Sequence, residues 1–140
     1  MSTTGEQPTR TPTPAAGPVP FSIANKVGFV LAVLLSVADL SSLLNPTPEG
    51  EVGPPLFILA TGAALGLITI VAVAIGWARR SRGAIRAAAA ARILSALLAL
   101  PAFAVPEVPA VLKALAGAFV LTTLVAVVLL LSPGRRAARA

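Results

Sequence analysis

Residues 79–86, with the sequence RRSRGAIR, decide the fold of this chain. The stretch holds four arginines in eight residues and lies between two long apolar runs. Guanidinium groups at this density cannot remain in hydrocarbon, so the stretch marks a boundary between a membrane and water. The apolar runs on either side of it must therefore cross the membrane in opposite directions.

The composition of the whole chain is that of an integral membrane protein. Of its 140 residues, 56% are hydrophobic and 11% are charged, and the mean hydropathy is +0.90. A soluble domain carries about 25% charged residues. The sequence predicts one membrane-embedded unit, because too little polar sequence remains for a second, water-soluble domain.

Four apolar runs are long enough to span a membrane as helices, and they cover residues 21–44, 55–77, 84–105 and 108–131. At 1.5 Å per residue the first run measures about 36 Å, against a hydrocarbon core of about 30 Å. Prolines and carboxylates fill the segments 45–51 and 106–109 between runs. We therefore predict an all-α fold, a transmembrane four-helix bundle with up-down topology.

The two ends of the chain differ from these runs. Residues 1–20 contain five prolines among small and polar residues, and because such a segment buries little apolar surface, we predict a disordered tail. Residues 132–140 form a short basic tail. A cleaved signal peptide is an open alternative for the first helix, because Lys26, the apolar segment 27–35 and the small residues of 36–38 resemble its three parts.

Charge is distributed unequally between the two sides that this topology creates. Nine basic residues and one acid fall on the side of the termini and of residues 79–86, whereas three acids and Lys113 fall on the other side. By the positive-inside rule, we predict that both termini are cytoplasmic. The basic residues should contact the anionic lipid headgroups of that face of the bilayer. No aromatic residues interleave with them, so they do not indicate nucleic acid binding.

Residues that could support catalysis are few. The chain has no Cys, His or Tyr, which excludes disulfides, thiol catalysis and the usual zinc and haem ligands. We therefore predict neither a cofactor nor a metal site. An enzyme would have to use Asp39, Glu107, lysines or hydroxyls, so we predict that the protein is not an enzyme.

Asp39 is the only acidic residue within the four apolar runs. It lies about 8 Å below the end of its helix, and Lys113 enters the last run at a similar depth from the same side. The first and last helices of an up-down bundle are neighbours, so we predict a buried Asp39–Lys113 ion pair. Separate snorkelling of both side chains to the headgroups is one alternative. The other is that Asp39 is a proton-coupling carboxylate, since small multidrug transporters also have four helices and an acid in the first.

Arg92 lies about 9–12 Å inside the basic side of the membrane if the third helix begins near Ala84. An arginine at that depth costs up to about 3 kcal/mol, so we predict that its side chain snorkels toward residues 79–86. A headgroup site for an anionic lipid, shared by Arg86 and Arg92, is the alternative.

Small side chains recur at helical spacing on two of the predicted helices. Gly62 and Gly66 form a GxxxG pair, and a ridge on the third helix consists of Ala87, Ala91, Ser95 and Ala99. Close backbone approach holds helices together in lipid, where the hydrophobic effect does not. We predict that these residues pack within the bundle, or against a partner protein or a second copy.

Two segments carry a resemblance to a class of proteins. The run RILSALLALPAF at 92–103 and the turn PEVP at 106–109 resemble small four-pass integral membrane proteins frequent in high-GC bacteria, especially actinobacteria. The resemblance covers residues 21–140, and it implies a bacterial plasma membrane and no activity. We expect a non-enzymatic structural or accessory membrane component, with a small oligomeric transporter or channel that uses Asp39 as the alternative.

Overall fold

The computed structural model describes residues 20–45 and 47–133. The helices in these ranges are α1 Ile23–Leu44, α2 Leu56–Arg79, α3 Arg82–Ala99, α4 Pro101–Ala104 and α5 Ala110–Leu131. No strand occurs in the described residues. The predicted disordered tail lies outside them except for Pro20, and so does the basic tail from residue 134 onward.

Four helices are long and apolar enough to cross a membrane, when α3 and the short α4 are taken as one span, Arg82–Ala104. The predicted all-α fold of a multi-pass membrane protein is confirmed. The interruption between α3 and α4 falls at Leu100, directly before Pro101. Proline has no amide N–H and its ring crowds the carbonyl group four residues earlier, so a regular α-helix cannot continue through this point. The N–H of Leu100 donates instead to the carbonyl oxygen of Leu97, at 3.2 Å.

The four spans form a ring in which each packs against its two neighbours in the up-down order α1, α2, α3, α5 and back to α1. Helices α1 and α3 therefore lie diagonally opposite each other. We call one end of the bundle the basic end, after Lys26, Arg79, Arg80, Arg82 and Arg86. The other is the acidic end, after Glu49, Glu51 and Glu107.

The turn between α2 and α3 at the basic end is very short. Arg80 ends α2 in a left-handed conformation, with φ at +50°, and the side chain of Ser81 then accepts a hydrogen bond from the N–H of Ala84 to cap α3. A serine N-cap and a left-handed C-cap together reverse the chain within a few residues.

The bundle is tightly closed at the basic end. Asn25 of α1 donates its Nδ2 hydrogens to the carbonyl oxygens of Leu129, Leu130 and Ser132, at 3.0, 3.0 and 3.1 Å. Leu129 and Leu130 belong to the last turn of α5 and Ser132 is its C-cap, where the helix supplies no regular donor four residues ahead. The carbonyl oxygen of Leu129 also accepts from the N–H of Ser132, at 3.4 Å. A Cβ atom on Gly28 would lie 2.7 Å from the backbone nitrogen of Leu130, so α1 and α5 touch backbone to backbone.

Three aromatic rings reinforce the same end. The rings of Phe21 and Phe29 meet edge to face with centroids 5.1 Å apart, and Phe29 lies 5.4 Å from Trp77 of α2. Such contacts add stability beyond the area they bury. They connect the start of α1 to the end of α2.

The acidic end is open, because the first half of α5 packs less closely against α1, α2 and α3 than its second half does. Every buried residue of α5 lies in its second half, at Thr123, Ala126, Val127 and Leu130. Its first half meets α4 instead, since a Cβ on Gly117 would lie 3.8 Å from the ring of Phe103. The looser packing leaves a cavity of about 570 Å³ at this end of the bundle.

The small residues singled out in the sequence differ in their environments. Gly66 is buried against α1, where an added Cβ would lie 3.0 Å from the carbonyl oxygen of Ser36, whereas one on Gly62 would meet nothing closer than 4.0 Å. On α3, Ala91 and Ser95 are buried and Ala99 is partly buried.

Ala87, by contrast, is exposed, so the predicted ridge does not pack as a unit. The buried face of α3 contains Ile85, Ala88, Ala89, Ala91, Arg92, Ser95 and Ala96. Steps of four residues drift around a helix with 3.6 residues per turn. The packed stripe therefore follows mixed steps of three and four, and Ala87 falls outside it.

Candidate functional site

Arg92 is a fully buried charged residue at the centre of the bundle. It occupies the middle of the span Arg82–Ala104, and its side chain has 0% exposure. The alanines at 88, 89, 91 and 96 surround it on the same face of α3. Because their side chains are short, the long guanidinium side chain fits between the helices.

Arg92 forms an ion pair with Asp39 across the diagonal of the bundle. Its Nη2 lies 2.8 Å from Oδ2 of Asp39, whose side chain is 12% exposed. The same Nη2 donates to Ser95 Oγ at 3.0 Å, and Nη1 donates to Ser36 Oγ at 3.0 Å. Ser95 Oγ donates in turn to Asp39 Oδ2 at 3.1 Å. We call these four residues the polar core.

The hydroxyl groups of the polar core have defined roles. Ser36 Oγ donates to the carbonyl oxygen of Ala32 at 2.7 Å, so it can only accept from Arg92. The guanidinium carbon of Arg92 also lies 5.5 Å from the ring centroid of Phe119 on α5, a cation–π distance. The polar core thus connects α1 to α3, and Phe119 adds a contact from α5.

Two buried polar atoms near the centre have no hydrogen-bond partner among the described residues: Arg92 Nε and Thr123 Oγ1. The hydroxyl of the other buried threonine, Thr69, donates to the carbonyl oxygen of Leu65 at 2.8 Å. Each of the four spans therefore contributes at least one fully buried polar side chain, namely Ser36, Thr69, Arg92 and Thr123.

The predicted Asp39–Lys113 pair is not present. The one ion pair of the described residues joins Asp39 to Arg92, and Lys113 is partly buried elsewhere on α5. The reason is the looser packing of α5: its first half, which carries Lys113, packs less closely against α1 than its second half does. A pair in the middle of the bundle also leaves neither charge alone in a medium where an isolated charge is costly.

The predicted snorkelling of Arg92 is also wrong. The residue lies about 15 Å along α3 from Arg82, too far for its side chain to reach the basic end. Arg92 is directed into the bundle, so it is not accessible to a lipid headgroup. Arg86 is exposed, and its contact with anionic lipid stays a prediction.

Sequence reasoning missed Ser36 and Asn25, and it gave Ser95 only a packing role. A usable signal existed for the serines: Ser36 and Asp39 are three residues apart, as are Arg92 and Ser95, and this spacing places both members of each pair on one helix face. No such signal existed for Asn25, because its partners are backbone carbonyls at the far end of the chain.

The cavity at the acidic end lies directly beside the polar core. We call it the vestibule; its wall includes Asp39, Ile58, Ser95, Leu98, Leu112 and Ala116. Among the described residues that form this wall, the polar side chains are Asp39, Ser42 and Ser95. Its volume of about 570 Å³ falls in the range of about 300–1,000 Å³ that is usual for small-molecule sites.

The chemistry of the site is limited to hydrogen bonding and charge. In residues 20–45 and 47–133, no group of three His, Cys, Asp or Glu side chains could hold a metal ion. The one carboxylate on the vestibule wall is already paired with a guanidinium group. The arrangement can fix helices to one another and can accept a hydrogen bond from a guest.

Comparison with known proteins finds no family model, no curated protein and no solved structure that matches the chain.

Proposed function

We propose that the protein is a non-enzymatic structural or accessory component of a bacterial plasma membrane, which packs against partner helices or against copies of itself. The observation that carries this proposal is the Asp39–Arg92 ion pair. It uses the one carboxylate within the described spans to tie two diagonal helices together. A charge pair of this kind stabilises one arrangement of the helices and supplies no nucleophile.

A second feature supports association with other helices. One face of α2 is exposed along its length and carries small side chains near both ends, at Ala60, Ala64, Ala74 and Ala78, with Leu67 and Val71 between them. Helices in lipid associate where such residues allow close backbone approach. This face is where we place a partner helix or a second copy.

The proposed topology has both termini in the cytoplasm, with the basic end at the inner leaflet. The arginines at 79, 80, 82 and 86 are all exposed there. Each can contribute about 1 kcal/mol of attraction to an anionic membrane surface.

Native mass spectrometry of the full chain in nanodiscs tests the packing role. We expect multiples of 14.0 kDa or a second protein, and a monomer at all concentrations would contradict the proposal. Because the chain has no cysteine, Ala64→Cys can be cross-linked as a single thiol. Val128→Cys, on the exposed face of α5, is the matched control and should not cross-link.

A small oligomeric transporter or channel is the second candidate, and the vestibule favours it because Asp39 lies on the wall. Proteoliposomes loaded with a pH-sensitive dye test this function. A transporter coupled through Asp39 would move protons in the wild type and lose that flux in Asp39→Asn. An accessory component would show no flux in either protein.

A further inference from the structure

The wall of the vestibule is apolar except for a few residues that include Asp39, and one oxygen of that carboxylate is an unsatisfied acceptor. Asp39 Oδ2 already accepts from Arg92 and Ser95, whereas Asp39 Oδ1 accepts no hydrogen bond from any described residue. The hydroxyl of Ser42 donates to the carbonyl oxygen of Ala38 at 3.0 Å, so it has no donor to spare. A guest must therefore bring a donor, an O–H or N–H group.

The charges at the site select a neutral guest. The opposite charges of Asp39 and Arg92 neutralise each other, because Asp39 Oδ2 lies 2.8 Å from Arg92 Nη2. A cationic guest at Asp39 would face the guanidinium group, and displacing that group would leave a buried arginine without its partner. An anionic guest would meet the carboxylate, after passing an acidic end that carries Glu49, Glu51 and Glu107.

The lining and the volume of the vestibule select a small apolar guest. It extends from the loop residues Val52 and Pro54 down to Ser95 and Phe119. Between these limits the wall is formed by aliphatic side chains of α2, α3, α4 and α5. The volume of about 570 Å³ suits one molecule of small-molecule size.

We propose that the vestibule binds a neutral, single-chain amphiphile whose hydroxyl group donates a hydrogen bond to Asp39 Oδ1. The guest belongs to the class of long-chain alcohols and monoacylglycerols. This inference goes beyond the packing role, and it does not depend on which protein covers the outer face of α2.

Photolabelling of the full chain in phosphatidylcholine nanodiscs tests the proposal. The probe is a long-chain primary alcohol with a diazirine on its chain, and its methyl ether, carboxylic acid and primary amine are the matched comparisons. We expect the alcohol to label the segments 55–59 and 112–119. The ether should label them about tenfold less, because a hydrogen bond to a charged acceptor is among the stronger kind.

A pair of variants locates the labelling. Ala116→Phe fills the vestibule and should abolish labelling, while Ala118→Phe, two residues away on the exposed face of α5, should leave it unchanged. Equal labelling by alcohol and ether, stronger labelling by the acid or the amine, or unchanged labelling of Ala116→Phe would overturn the proposal. The proposal would also be overturned if a diazirine-bearing phospholipid labelled the same segments and an excess of the alcohol did not reduce that labelling. Should Ala116→Phe fail to fold, the comparison of the four probes on the wild type decides alone.

Discussion

Asp39 and Arg92 are 53 residues apart in the sequence and 2.8 Å apart in the structure. They lie on α1 and α3, which are not neighbours in the ring of helices. The pair therefore crosses the interior of the bundle, and together with the Arg92–Ser36 and Ser95–Asp39 hydrogen bonds it fixes the two helices to each other.

Replacing Arg92 should destabilise the bundle strongly. Arg92→Met keeps most of the side-chain volume but leaves Asp39, whose side chain is 12% exposed, without its positively charged partner, which we expect to cost about 3 kcal/mol of unfolding free energy. Reversible unfolding in mixed detergent micelles measures this loss. Arg86→Met, an exposed arginine on the same helix, should change the same quantity by no more than about 0.5 kcal/mol.

The double variant separates charge from packing. Asp39→Leu combined with Arg92→Met should recover much of the loss of unfolding free energy, since removing both charges leaves none unpaired.

A double-mutant cycle of Asp39→Asn with Lys113→Gln should give additive changes in unfolding free energy, within about 0.5 kcal/mol. Strong coupling between Asp39 and Lys113 would contradict the observed pairing.

Asn25 should contribute more to stability than an ordinary asparagine. Asn25→Ala removes the donor for three carbonyl oxygens at the end of α5, and we expect a loss of about 1–3 kcal/mol. Asn45→Ala is the matched control, because Asn45 is exposed and bonds only to Ser41 of its own helix. Equal effects of the two substitutions in the micelle unfolding assay would count against the closed basic end.

Alanine substitutions of two helical glycines should change the free energy of unfolding in opposite directions. Alanine is favoured over glycine within a helix by about 1 kcal/mol, and at Gly62, where no atom lies closer than 4.0 Å, that gain should appear. At Gly28 the added Cβ would lie 2.7 Å from the backbone of Leu130, and the forced separation of α1 and α5 should cost about 1–3 kcal/mol. Unfolding midpoints of the two variants, compared with the wild type, decide the matter.

Accessibility labelling should find the two ends of the bundle on opposite sides of the membrane. We expect Ser81→Cys to react with an impermeant maleimide only after permeabilisation of the cells, and Gly50→Cys to react in intact cells. The wild type has no cysteine, so each signal has a single source. Labelling of Ser81→Cys in intact cells would reverse the proposed orientation.

Much of the fold follows from the sequence because the spans are encoded locally. An apolar run of sufficient length, ended by arginines or prolines, is enough to predict a crossing. The four spans of the structure accordingly lie close to the predicted runs. The order of neighbours around the ring follows from the short connections between them.

The partner of Asp39 could not be predicted in the same way. Asp39 and Lys113 lie at similar depths from the acidic end, which makes Lys113 the expected partner of Asp39. Similar depth does not show whether the two helices lie close together at that level. Here the first half of α5 packs less closely against the other helices, and Arg92 reaches across the centre instead. The spacing of Arg92 from the arginines that precede it predicts snorkelling, whereas the small residues on its face of α3 leave room for it in the interior.

The contact that Asn25 makes with the last turn of α5 also brings the beginning of the first span beside the end of the last one, with Asn25 Nδ2 3.1 Å from the carbonyl oxygen of Ser132. A short peptide could join these points and close the polypeptide into a circle without moving a helix. New ends could then be opened in the exposed segment around Glu49 and Gly50, which produces a circular permutant with the same bundle.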